Sequence, residues 1–176
     1  WATEIVGDEH AYLIVLDAED GTVLFRKNLT SYQSQAVTYN IYNDDSPAPA
    51  SPSTATPDNH LQAPFIPRVN HTLIGSEAPY TFNNLGWMAD GVNDTQGNNV
   101  IAGLDRVSPD GVDATVSGTS FRVFNYSYNP ETDEALTPNY QGGEIANMFY
   151  WVNRFHDETY LLVFTEQARN CQQDNF

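Results

Sequence analysis

The sequence predicts an α+β, β-rich fold: antiparallel sheets joined by turns, with one principal C-terminal helix over about 142–163. Three observations predict it. Upstream of residue 142, short runs rich in β-branched and aromatic residues are separated by Gly, Pro, Asn and Asp. Only the C-terminal stretch spaces its apolar residues at helical intervals. Charged residues make up 17% of the chain while Asn, Thr, Ser, Tyr and Pro are abundant, a composition typical of secreted β-proteins.

From Ala11 to Asn28 an apolar run, an Asp20-Gly21 turn signal and a second apolar run predict a β-hairpin, with Trp1 to Val6 adding a strand before it. Val37-Thr-Tyr-Asn-Ile-Tyr42 alternates and predicts a further strand. Residues 43–68 hold six prolines (Pro47, Pro49, Pro52, Pro57, Pro64 and Pro67), which predicts a surface loop with no core. His71 to Tyr80 and Asn83 to Trp87 are short apolar pieces with turns at Gly75 and Gly86. Asp90 to Asn99 is almost purely turn chemistry, and Val100 to Leu104 follows as a strand. Thr119 to Tyr128 alternates, with Phe121, Val123 and Asn125 on one face and Arg122, Phe124 and Tyr126 on the other. In the helix, Ile145, Phe149, Val152 and His156 share a face, flanked by Met148, Phe155 and Thr159 and widened by Tyr150 and Trp151. A helix of this kind needs cover on more than one side. No period of 20 to 50 residues repeats, which argues against a solenoid or propeller.

Composition excludes some functions. With 7 Lys+Arg against 23 Asp+Glu, the 176-residue chain carries a net charge of −16, which repels phosphate backbones and anionic membranes. Nucleic-acid binding is not expected, and no apolar run is long enough to span a membrane. Four Asn-X-Ser/Thr sequons, at Asn28, Asn70, Asn93 and Asn125, are candidate glycosylation sites. The single Cys171 is expected to pack as a small buried apolar residue; the alternative is an intermolecular thiol.

Candidate catalytic and metal sites are sparse. His156 and Asp157 project about 100° apart on a helix and do not readily share one ion, so a packed, hydrogen-bonded histidine beside a capping carboxylate is the favoured reading. His10, His60 and His71 show no ligand spacing. Asp90 to Asn99 lacks the alternating acids of an EF-hand. No catalytic residue, metal site or cofactor site is assigned to this chain.

Two separate parts of the sequence resemble the fungalysin family of secreted zinc metallopeptidases, relatives of thermolysin. Asn147-Met-Phe-Tyr-Trp-Val-Asn153, His156-Asp157, Phe164-Thr165-Glu166, Asn170-Cys-Gln172 and Asn175-Phe176 follow a family pattern over some thirty positions. Upstream, Val15 to Leu24 resembles the closing hairpin of the family propeptide, Ala36 to Tyr42 the start of the mature domain, and Asp94-Thr-Gln-Gly-Asn-Asn-Val100 a Thr-Arg-Gly-Asn-Asn-Val loop within it. The resemblance implies a propeptide-like segment over 1–35 and a β-rich N-terminal subdomain over 36–176.

The departures shape the expectation. The family holds its zinc with a His-Glu-X-X-His helix and a downstream Glu, and this chain contains no such motif. Cys171 stands where the pattern has Phe, and Val163 where it prefers Gly. The resemblance therefore implies a non-catalytic N-terminal portion of a secreted peptidase, with zinc only in a complete family member. The alternative is a secreted, possibly glycosylated structural subunit that self-assembles by strand addition and helix docking. The partners implied are the remainder of its own protein or further copies of itself.

Overall fold

The computed structural model describes residues 1–6, 11–30, 33–42, 67–129 and 132–174. Among the described residues, eight strands precede one long helix, as the α+β expectation requires. β1 (Ala2–Val6), β2 (Ala11–Leu16) and β3 (Val23–Asn28) form an antiparallel sheet in the order β1-β2-β3. The predicted hairpin is β2–β3, and its loop is braced by Asp17 and Asp20 carboxylates that accept the backbone N–H groups of Glu19 and Thr22 at 2.7 and 2.9 Å.

The second sheet positions everything that follows. β4 (Val37–Ile41) lies between β5 (Val69–Leu73), its antiparallel partner, and β8 (Val123–Phe124), which pairs with it in parallel. One sheet is thus mixed where purely antiparallel sheets were expected, because β8 reaches β4 from a distant part of the chain rather than through a hairpin. β6 (Gly103–Leu104) and β7 (Ala114–Thr115) form a small separate ladder. The alternation of β4 turns Val37, Tyr39 and Ile41 into the core. Tyr39 sits at its centre, stacked on Phe124 at 5.5 Å between ring centroids and flanked by Phe149 and Tyr150 at 6.0 Å. The other face of the sheet is polar: Thr38 meets Thr72, and Asn40 donates to Asn70, both at 2.8 Å.

The predicted strands at 100–104 and 119–128 shrink to two residues each. Gly103 lies so close to β7 that an added Cβ would meet the Ala114 carbonyl oxygen at 2.3 Å. Arg122 adopts φ 58°, which breaks the extended run. That arginine is buried and its guanidinium donates to the carbonyls of Gln35, Ala36, Met88, Ala89 and Val92 at 2.5–3.4 Å. Five backbone acceptors replace the carboxylate partner a buried arginine usually has. Asp90 grips the same connection from the other side, accepting the backbone N–H groups of Ser34 and Gln35 at 2.9–3.1 Å. These hydrogen bonds hold its carboxyl below the ordinary range.

The helix α1 (Pro138–Leu161) packs on β4. It begins four residues earlier than predicted because Pro138 starts it, with its φ already helical and no N–H to satisfy. It ends in a Schellman turn, in which Phe164 N–H bonds to the Thr159 carbonyl and Val163 N–H to that of Tyr160 at 3.0 and 3.1 Å. Val163 occupies the left-handed position of that turn with φ 72°. This is where glycine is favoured, and the family pattern places Gly there.

The buried face of α1 corrects the prediction. Gly142, Gly143, Ile145, Ala146, Phe149, Tyr150, Asn153, His156 and Asp157 are buried, whereas Met148, Trp151, Val152 and Phe155 are exposed. The inward stripe runs through 145, 149, 153 and 157, so its centre lies roughly 70° away from the apolar face read from the sequence. The predicted face omitted Asn153 and Asp157, and these two complete the buried one. Gly142 and Gly143 sit inside the helix because a Cβ would lie 2.4 and 2.1 Å from the Cε1 atoms of Tyr126 and Tyr128. No helix among the described residues is long and apolar enough to cross a membrane. The predicted Pro-rich loop lies almost wholly outside the described residues.

Candidate functional site

The chemistry of the described residues concentrates on the polar end of the buried helix face. Four-residue spacing places Asn153 and Asp157 one above the other, and His156 beside them. Asp157 is fully buried and takes three donors: Trp87 Nε1–H to Oδ2 at 2.7 Å, Asn83 Nδ2–H to Oδ1 at 3.2 Å and His156 Nδ1–H to Oδ1 at 3.2 Å. Burial pushes its carboxyl above the ordinary value, and those three donors pull in the opposite direction. Asn153 donates to the Phe149 carbonyl at 2.9 Å.

With Nδ1–H directed at Asp157, His156 Nε2 accepts from Asn170 Nδ2 at 3.2 Å. Asn170 also donates to Gln172 Oε1 at 2.7 Å. A 3₁₀ turn (Glu166–Ala168) and Arg169 at φ 59° bend the chain so that Asn170 and Gln172 point back at the helix. Cys171, lying between them, points outward. It is a free, exposed thiol, which corrects the expectation of a buried residue. Asp174 N–H then reaches Asn98 Oδ1 at 2.6 Å, joining the 94–100 loop to the C-terminal segment.

Of the family-pattern residues, His156, Asp157, Asn170 and Gln172 therefore form one connected cluster, while Asn153 bonds to the Phe149 carbonyl one turn back on its own helix. Glu166 accepts the Tyr160 hydroxyl at 2.9 Å, Thr165 starts the 3₁₀ turn and Phe164 closes the helix. Sequence reasoning missed Trp87 and Asn83, the donors that fix Asp157. A carboxylate on a buried helix face must find donors, and the Asn83-to-Trp87 piece, with its turn at Gly86, was the segment able to supply two. Above this cluster the Tyr80 hydroxyl donates to Glu158, and Arg154 lies 4.4 Å from the centre of the Tyr80 ring.

The cluster does not fit a zinc site. His156 and Asp157 are committed to each other and to amide and indole donors, and His71 Nδ1 lies 2.6 Å from the Tyr150 hydroxyl. Among the described residues no three His, Cys, Asp or Glu side chains converge as metal ligands; His10 and His60 lie outside them. The acidic stretch at 90–99 spends its oxygens on the fold: Asp90 on residues 34–35, Asn93 on Arg122 N–H at 2.6 Å and Asp94 on the Ser117 hydroxyl at 2.5 Å. Of the sequon asparagines, Asn70 lies on β5, Asn93 in the 90–99 stretch and Asn125 just after β8, and the Asn28 side chain lies outside the described residues.

The comparisons decide the family. The model of the fungalysin metallopeptidase family (M36) matches residues 59–176. The chain belongs to the fungalysin family. Extracellular metalloproteinase 5 of Arthroderma otae is 30% identical over 182 residues, covering 99% of this chain and 25% of that protein. Extracellular metalloproteinase 2 of Arthroderma gypseum is 36% identical over 105 residues, or 57% of this chain and 15% of its own length. Extracellular metalloproteinase MEP of Fusarium vanettenii is 32% identical over 94 residues, or 51% of this chain and 14% of its own length. The chain thus spans about a quarter of the length of the relatives that match it throughout. No solved structure matches it.

Proposed function

We propose that this chain is a non-catalytic N-terminal portion of a secreted, extracellular fungalysin-like metallopeptidase. Residues 1–35 correspond to a propeptide-like β segment, and residues 36–176 to the β-rich subdomain that builds one wall of the substrate cleft. The zinc and its His-Glu-X-X-His ligands belong to a part of the parent protein outside residues 1–176, since no such motif occurs here.

The observation that carries this reading is the outer side of α1. Met148, Trp151, Val152 and Phe155 form an exposed stripe, with Phe155 66% accessible, and Leu162 and Val163 are exposed just past the helix end. A lone surface helix would turn polar residues outward there. The match to a quarter of each full-length relative supplies a natural cover, the remainder of the polypeptide.

Replacing Val152 and Phe155 by Glu in the full parent protein tests the reading. The expected result is loss of secreted peptidase activity, while residues 1–176 alone retain their far-UV and near-UV circular dichroism. A parent protein that keeps its full activity with both substitutions would overturn it.

A further inference from the structure

The outer face of the β5-β4-β8 sheet carries two sequon asparagines. Asn70 on β5 pairs across the ladder with Asn40, and Thr72 with Thr38. Asn70 Oδ1 accepts the Asn40 amide at 2.8 Å, which leaves Asn70 Nδ2 turned to solvent on an exposed residue. Asn125 follows β8. Its neighbours Phe124 and Tyr126 point to the helix side, Phe124 into the core and Tyr126 against Gly142, so strand alternation sends Asn125 outward. Asn125 and Ser127 are both exposed.

The sequon at Asn93 differs at both ends. Asn93 Oδ1 accepts Arg122 N–H at 2.6 Å in a close-packed turn, where an added Cβ on Gly118 would lie 2.6 Å from that same oxygen. Thr95 is fully buried, its hydroxyl donating to the Ala102 carbonyl at 2.6 Å and accepting Val116 N–H at 3.1 Å. Folding therefore withdraws the hydroxyl that a sequon must present.

We propose that Asn70 and Asn125 carry N-linked glycans on the sheet face opposite α1, and that Asn93 does not. The inference rests on the secreted reading above. In the reaction, Asn Nδ2 forms a bond to the anomeric carbon of an N-acetylglucosamine held on a lipid diphosphate. The carbon–oxygen bond to the diphosphate breaks, its electron pair leaves with the diphosphate, and one amide proton is lost. Because both asparagines lie on the far side of the sheet from α1, the sugars leave the Met148-to-Phe155 stripe open for docking.

The test expresses the full parent protein from a eukaryotic secretory host in an Asn28→Gln background, because the Asn28 side chain lies outside the described residues. Medium and cell fractions are both digested with peptide N-glycosidase in ¹⁸O-water and read by peptide mass spectrometry. Labelled Asp is expected at positions 70 and 125, with Asn93 unlabelled. Thr72→Ala and Ser127→Ala should each remove one glycan step on a gel, whereas Asn93→Gln should remove none. Unlabelled Asn70 and Asn125, or Asn93 occupied to the same extent, would overturn the inference. Glycosylated protein found only in cells would instead count against the secreted reading, and unglycosylated protein in the medium against the glycans alone.

Discussion

The two sides of α1 are mismatched in opposite senses. Facing inward, Asn153, His156 and Asp157 are polar and buried; facing outward, Met148, Trp151, Val152 and Phe155 are apolar and exposed. The inner side is closed by this chain: His156 and Asp157 find partners on other segments, while Asn153 bonds within its own helix and keeps a buried Oδ1 without a partner. The outer side is not. Buried polar groups cost a great deal unless hydrogen-bonded, and exposed apolar stripes stay unfavourably hydrated until something covers them. The comparison teaches that the two faces of one helix are matched to different surroundings, polar groups packed into this chain on one side and apolar groups exposed on the other.

The largest test falls on the inner side. Asp157→Ala strands the Trp87 indole and Asn83 amide in the core and should destabilise the isolated chain by about 3 kcal/mol in urea unfolding. Asp157→Asn keeps an acceptor for the indole and should cost less. The pair also sharpens the pH dependence. An acid whose folded value is raised contributes stability that is present below the ordinary carboxylate range and lost as pH rises through the folded value. The wild-type advantage over Asp157→Asn should therefore shrink from about pH 4 towards neutrality. Asp90, lowered by its backbone hydrogen bonds, has the opposite sign and is common to both proteins, so it cancels in the difference.

Next in size is Gly143→Ala. A Cβ 2.1 Å from Tyr128 Cε1 must push the ring aside, at about 2 kcal/mol by thermal or urea unfolding, although alanine is the better helix former. Val163→Gly should act in the other direction, raising stability by about 1 kcal/mol by relieving a β-branched residue at φ 72°. Smallest is Phe155→Ser on the outer side, which should change the unfolding free energy of the isolated chain in urea by less than about 0.5 kcal/mol. A large loss there would mean that the stripe is already packed within this chain.

Much of the fold was legible because it rests on local periodicity. The alternation of Val37 to Ile41 gave β4, and the Asp20-Gly21 turn gave the β2–β3 hairpin. Arg122 and Phe124 are both buried, although Arg122 lies outside β8, and Val163 was flagged by the glycine the family pattern prefers. What periodicity missed were tertiary effects. Centring the face on Ile145, Phe149, Val152 and His156 put Val152 inside and left Asn153 and Asp157 out, since the donors that make the burial of Asp157 tolerable, Asn83 and Trp87, lie some 70 residues away. The backbone of Arg122 and the tight packing of Gly103 cut the alternating run at 119–128 and the strand predicted at 100–104 to two residues each. Cys171 was misjudged because the side chains on either side of it, Asn170 and Gln172, claim the inward positions.

The central claim is that the outer stripe of α1 is covered in the parent protein. A single cysteine at Phe155, in a Cys171→Ser background, can be titrated with a maleimide in residues 1–176 and in the full parent protein. The account predicts rapid labelling in the former and strong protection in the latter. Equal labelling rates in both would contradict it.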